Sequence, residues 1–134
     1  MIIVDFGTAT TFDVVDHDGA YIGGVIAPGV NLSLQALHQM AAALPHVDIA
    51  KPKEVIGKNT VSCMQSGVFW GYIGLVKEIC RKIKEEKKEA MRVVATGGLA
   101  PLLQSTEKLF ENVEENLTMQ GLRLIFDYNK SLES

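Results

Sequence analysis

The sequence predicts an α/β domain, and three observations carry that prediction. Apolar, β-branched runs separated by short turns open the chain, the pattern of an antiparallel meander. A long amphipathic stretch with helical periodicity fills the middle. A further apolar run, Met91 to Ala95, ends in Thr96-Gly97-Gly98 and passes into helix-forming residues, as a strand does when it hands over to a helix. At 134 residues the chain is sized for one domain, and 47% hydrophobic residues suffice for a core.

The elements follow in order. Met1-Ile2-Ile3-Val4 forms a first strand that ends at Asp5, and Thr10 to Val15 forms the second. Asp16-His17-Asp18-Gly19 is a hairpin turn into a third strand, Ala20 to Ile26. An EF-hand reading of that turn fails, because Val14 and Val25 would occupy ligand positions. Ala27-Pro28-Gly29 ends the strand, and a helix is expected from Val30 to Leu44, with Leu32, Leu34, Leu37 and Met40-Ala41 on one face and Pro45 as its stop. Asp48 to Lys58, with Pro52 and several charges, reads as a loop.

The longest helix is expected from Thr60 to Lys88, with Val61, Met64, Val68, Tyr72, Leu75-Val76, Ile79-Cys80 and Ile83 as its apolar stripe. Asn59 or Thr60 suits its N-cap. Gly67, Gly71 and Gly74 recur on one side, where each costs about 1 kcal/mol relative to alanine, so they suggest close approach of another helix or a ligand. Phe69 and Trp70 read as packing residues. A short helix at Leu99 to Gln104, an extended piece at Asn112 to Asn116 and a helix at Thr118 to Tyr128 complete the chain.

Composition narrows the function. A net charge of −3 gives no electrostatic footprint for nucleic acid or for an anionic membrane. No apolar run reaches the ~18 residues of a membrane span, and no charged-then-apolar leader opens the sequence, so the expectation is a cytoplasmic protein. Cys63 and Cys80 both fall within the long helical pattern and are expected as buried, reduced thiols. His17 belongs to a solvated turn, and His38 and His46 to the surface rather than to catalysis.

The chemistry concentrates in Asp5-Phe6-Gly7-Thr8-Ala9-Thr10-Thr11-Phe12-Asp13. Gly7 lets a backbone approach a ligand without a Cβ in the way. Thr8, Thr10 and Thr11 bring hydroxyls and N–H groups suited to phosphate, while Asp5 and Asp13 bring oxygens suited to a cation. A ligand-free Thr-rich hairpin is the alternative. Thr96-Gly97-Gly98 offers bare backbone at a second strand end, and two such ends of one sheet are where α/β ligands bind. Gly57-Lys58-Asn59-Thr60 is not a P-loop, since Asn59 replaces Ser/Thr and Pro52 replaces the first Gly; it suits a helix cap, with room for an anionic ligand.

These motifs, in this order, resemble one ribonuclease-H-like half of the actin-like, sugar-kinase and Hsp70-type ATPase superfold: three antiparallel strands followed by helices and further strand. Within it, Asp5 to Asp13, Gly23-Gly24-Val25-Ile26-Ala27-Pro28-Gly29, Leu44-Pro45, Gly57 to Thr60, Ser66-Gly67 and Ala95-Thr96-Gly97-Gly98-Leu99-Ala100 look like the C-terminal half of a type III pantothenate kinase, the Bvg accessory factor-like family. Residues 1–134 would then form the C-terminal domain of a two-domain kinase that phosphorylates pantothenate with ATP and Mg²⁺ as the first step of coenzyme A biosynthesis. The resemblance implies that Asp5 holds a monovalent cation, K⁺ or NH₄⁺. It implies that Thr8 contacts ATP with Gly7, Gly97 and Gly98 close by, that Thr60 contacts pantothenate, and that the protein is a homodimer. The family's Asp-x-Gly-Asn-Thr loop and its Gly-x-Asp-Arg motif, whose Asp serves as base, are absent from this sequence. The resemblance therefore assigns no catalytic residue here, and it implies an N-terminal half as partner and an inactive fragment. Another kinase or phosphatase of the superfold, and a non-catalytic nucleotide-binding or regulatory module, stay open on sequence alone.

Overall fold

Strand β1 (Ile2–Phe6) is hydrogen-bonded along both edges, antiparallel to β2 (Ala9–Val15) and parallel to β4 (Val93–Gly97). Strand β3 (Tyr21–Pro28) extends the meander, and the two-residue β5 (Asn112–Val113) pairs in parallel with β4. The result is a five-stranded sheet of order β3-β2-β1-β4-β5, interleaved with helices α1 (Val30–Met40), α2 (Thr60–Lys87), α3 (Ala100–Gln104) and α4 (Leu117–Leu132). The computed structural model describes residues 1–41 and 43–132. The expected mixed α/β class and element order are observed.

Strand alternation builds the core. Ile2, Val4 and Phe6 of β1 are buried, as are Phe12 and Val14 of β2 and Val93 and Ala95 of β4, which the ladder places on the same face. Phe69, Tyr72, Ile73, Val76 and Cys80 of α2, Val30 and Leu34 of α1, and Ala100 and Leu103 of α3 pack against that face in one cluster. Phe110 closes its far end, edge-on to Phe6 with ring centroids 5.8 Å apart. The other face carries Ile3, Asp5, Thr11 and Asp13, all half-buried. Helix α4 contributes no buried residue.

The turns use the expected residues. Asp16 Oδ1 accepts from the N–H groups of Asp18 and Ala20 at 3.0 and 2.9 Å, and Gly19 takes a φ of +83°. At the start of α2, Asn59 Oδ1 accepts from Ser62 N at 2.9 Å while Ser62 Oγ accepts from Asn59 N at 3.2 Å, a reciprocal capping box. The segment 48–58 is a loop, tied to α2 by the Ser66 hydroxyl donating to Val55 O and by Gln65 Nε2 donating to Asp48 O.

Several expectations need correction. Helix α1 stops at Met40, short of Leu44, because Met40 finds no core contact (it is 87% exposed) and Ala41 is already extended. Without burial an additional turn gains little from propensity alone, and the chain turns back to bury Val47. Ala42 lies outside the described residues. The apolar face of α1 is only partly covered, with Leu32 and Leu37 exposed. Strand β5 is two residues long rather than five, and α4 runs four residues past Tyr128. Cys63 is exposed, because it lies on the solvent side of the first turn of α2; Cys80 is buried. A Cβ at Gly67, Gly71 or Gly74 would meet nothing within 4 Å, so no described element approaches that stripe. Among the described residues no helix is long and apolar enough to cross a membrane.

Two measurements test this packing. Asn59→Ala should lower the unfolding free energy by about 1 kcal/mol, and Phe12→Ala, at a fully buried position, by about 3–5 kcal/mol. Urea titration reads both, with an unchanged slope for the cap variant. The cysteines should separate as well. Burial, opposed weakly by Lys84, pushes the Cys80 thiol up to about 11, so iodoacetamide at pH 8 should alkylate Cys63 and spare Cys80. Since the unfolded chain releases the Cys80 proton first, this group's contribution to stability is complete below the ordinary thiol range and lost as pH rises to about 11. Cys80→Ala should lack that component of the alkaline decline.

Candidate functional site

The ladder brings two turns to one end of the sheet. Phe6, the last residue of β1, is aligned with Thr10 on β2 and with Gly97 on β4. Gly7-Thr8 therefore leaves the sheet beside Gly98. Gly7, Thr8 and Gly98 line one cavity of about 440 Å³, within the range of small-molecule sites. Its remaining wall comes from the first turns of α1, through Asn31, Leu32 and Gln35, and from Phe6 and Leu99. No charged side chain lines it.

Glycines fix this arrangement for different reasons. A Cβ on Gly29, which precedes α1, would overlap the Thr8 carbonyl and stand 2.9 Å from Gly7 O. Its absence lets α1 begin directly against the Gly7-Thr8 turn. The first turn of α1 has no side-chain cap, so its leading N–H groups have no partner from that side. Gly97 has a φ of +91°, and a Cβ there would come within 2.8 Å of Phe6 N and C. The close packing of β4 on β1 accounts for Gly97, which is not among the cavity-lining residues. Gly98 faces open space, and a Cβ on Gly7 would make only an ordinary contact, 3.5 Å from Ala9 O.

The three threonines do not behave alike. Thr8 is exposed on the turn, whereas Thr10 is fully buried on the core face, where its hydroxyl has no partner among the described residues. Thr11 Oγ1 donates to Asp13 Oδ2 at 3.1 Å. The expectation that all three hydroxyls face a ligand is thus corrected: of the three threonines Thr8 alone lines the cavity, because alternation turns Thr10 inward. Asp5 lies across the ladder from Thr11 and Thr96, on the face opposite Phe6, half-buried and with no hydrogen-bond or ion-pair partner for its carboxylate among the described residues. No group of three His, Cys, Asp or Glu that could hold a metal occurs among the described residues.

Thr60 stands apart, as the first residue of α2. A separate cleft of about 410 Å³ lies beside that helix start, lined by Lys51, Lys53, Lys58, Ser62 and Gln65 among others. Gly57 allows the loop to lie on α2, since a Cβ there would stand 2.6 Å from Ser62 C. Sequence reasoning missed Asn31 and Gln35, which carry no motif of their own. It gives Pro28-Gly29 as a strand end and as the close of the Gly23-to-Gly29 motif, with no role at the cavity.

A family model described as type III pantothenate kinase matches residues 1–82. The type III pantothenate kinase of Roseobacter denitrificans is 71% identical over 133 residues, which cover 99% of this chain and 52% of that protein. That of Ruegeria sp. (strain TM1040) is 70% identical over 132 residues, 98% of this chain and 51% of that protein. The chain thus spans about half the length of the curated relatives it matches. The crystal structure of a Baf family protein from Campylobacter jejuni shares the fold, with a TM-score of 0.68 at 22% identity over 97% of this chain and 58% of that one. With a family match over residues 1–82, which is more than half its length, and a cavity assembled at the motif that opens it, the chain belongs to the type III pantothenate kinase family.

Proposed function

We propose that this chain is the nucleotide- and cation-binding half of an ATP-dependent pantothenate kinase. The observation that carries the proposal is the meeting of Gly7, Thr8 and Gly98 around one cavity. Backbone N–H groups at two strand ends, apart from that of Gly7, which donates to Ala9 O at 3.1 Å, together with the Thr8 hydroxyl and the uncapped first turn of α1, suit the phosphates of ATP with Mg²⁺. The strand order β3-β2-β1-β4-β5, an antiparallel meander extended by parallel strands, supports the ribonuclease-H-like half of the actin-like superfold.

Asp5 fits a monovalent cation in donor chemistry: an unpartnered carboxylate flanked across the ladder by two threonines. K⁺ or NH₄⁺ there would offset phosphate charge from the other side of the strand that carries the Gly7-Thr8 turn. Thr60 at the start of α2, and the nearby cleft with Lys51, Lys53 and a Lys58 paired to Glu54, suit an anionic substrate such as pantothenate, although Thr60 itself does not line that cleft. Among the described residues no Asp, Glu, His or Lys lines the cavity, and none of them brings a general base to it. Phosphoryl transfer needs the nucleophile oriented and the developing charge stabilised together, and the half that completes the kinase would supply the first of these. Docking of that half, or of a second copy as a homodimer, has apolar surface on α1, β3 and α4 to use. The apolar stripe of α2 is largely taken up by the chain's own core.

Two experiments test this reading. A coupled ADP-release assay on this chain with ATP, pantothenate, Mg²⁺ and K⁺ should give background, and turnover near ~1 s⁻¹ or above would overturn the half-enzyme reading. In a kinase of the relatives' full length, Asp5→Asn should raise the K⁺ concentration for half-maximal rate about tenfold, a loss of about 1.4 kcal/mol. KM for pantothenate should stay within about twofold, or about 0.4 kcal/mol. An unchanged K⁺ titration would remove Asp5 from the cation site.

A further inference from the structure

Asn31 and Gln35 sit four residues apart on α1, so they share a helix face with Cβ atoms about 5–6 Å apart. Both are exposed, and neither amide has a hydrogen-bond partner among the described residues. On most helices two such residues would be ordinary solvated positions. Here both border the cavity that Gly7, Thr8 and Gly98 line, and Leu32 and Leu99 give the same cavity apolar wall. The tight seat of Gly29 on Thr8 ties the first turn of α1 to the phosphate end, so the distance from turn to amides is set by packing rather than by a free loop.

The chemistry of the lining sorts itself along the cavity. A polyphosphate is anionic on every side and calls for donors or cations, which the turn N–H groups provide. An uncharged amide presents a donor and an acceptor together; against phosphate its oxygen would face an anion. Apolar side chains such as Leu32 and Leu99 have nothing to offer phosphate either. An amide pair beside apolar wall matches an organic group with flat faces and a polar edge. Adenine presents an N–H donor next to a ring acceptor, which one amide can satisfy in both directions, whereas the same edge of guanine presents two acceptors.

We propose that Asn31 and Gln35 are the nucleoside-recognising residues of this cavity and set its preference for adenine over guanine. The proposal rests on the assignment of Gly7, Thr8 and Gly98 to the phosphates, and it deepens that assignment by naming what reads the rest of the nucleotide.

Calorimetric titration of this chain with Mg²⁺ complexes of ATP, GTP and inorganic tripolyphosphate tests it. Asn31→Ala/Gln35→Ala should fold normally, since both positions are exposed and alanine is a strong helix former. The variant should bind ATP about tenfold or more weakly, lose most of the ATP-over-GTP preference, and hold tripolyphosphate within about twofold of the unsubstituted chain. Equal loss for ATP and tripolyphosphate, or no loss for ATP, would overturn the assignment of the amides. So would an unsubstituted chain that binds tripolyphosphate as tightly as ATP, and that result would leave the phosphate assignment standing. Thr8→Val reports on the latter alone and should weaken ATP and tripolyphosphate together. A chain that binds none of the three ligands would overturn the phosphate assignment and this proposal with it.

Discussion

The register of β1 is the constraint on which the site depends. Its residues are paired on both sides, so Phe6 is held level with Thr10 and with Gly97 at the same time. Because side chains alternate, burying Ile2, Val4 and Phe6 commits Asp5 to the opposite face and commits the next two residues to the turn. A slip of one residue would drive Asp5 into the apolar core and expose Phe6, at the cost of an unpaired buried carboxylate. The same burial that stabilises the fold therefore positions Gly7, Thr8 and Gly98. No separate device is needed to align the two turns.

Glycines around the site divide into those the fold requires and those it leaves free. Gly29 and Gly97 are required, the first because α1 begins on the Thr8 carbonyl, the second because β4 closes on the Phe6 backbone at a positive φ. Gly7 and Gly98 meet no such demand from the chain itself. Their openness is what a ligand would use. A motif read as one ligand-binding unit thus contains two mechanical roles, and substitution at Gly97 would report on strand packing before it reported on nucleotide.

Much of the fold was legible because it follows local rules. The meander showed in the alternation of Ile2, Val4, Phe12 and Val14, the Asp16-Gly19 turn in its residue types, and the start of α2 in Asn59. What stayed hidden depended on tertiary contact. Nothing in the periodicity of Leu37 and Met40 says that the fold leaves them uncovered, so α1 ends sooner than its apolar pattern does. Cys63 and Cys80 share one helical pattern, yet only Cys80 is buried, since Cys63 faces solvent in the first turn of α2. Within the site, Asp5, Gly7, Thr8 and Gly98 carried a motif. Asn31 and Gln35 could not be found that way, because an amide on a helix acquires meaning only from the cavity beside it.

Helix α1 joins two surfaces that nothing in its residue pattern connects. Leu32 lines the polar cavity at Thr8 and also an apolar groove on α1, where it is joined by Pro28, Ala36, Leu37 and Met40. A ligand in the cavity and any protein surface seated on the groove would share that side chain and the helix behind it. Gly29 transmits the position of the helix to the Thr8 turn through a contact that leaves no room for a Cβ. Coupling between two sites requires that each favour one arrangement of a common element, and α1 is such an element, anchored in the core by Val30 and Leu34 and uncovered along its outer side. The exposed apolar flank of this half-length chain thus lies against the cavity proposed here for the nucleotide, the place where docking of further protein would bear most directly on a ligand bound there.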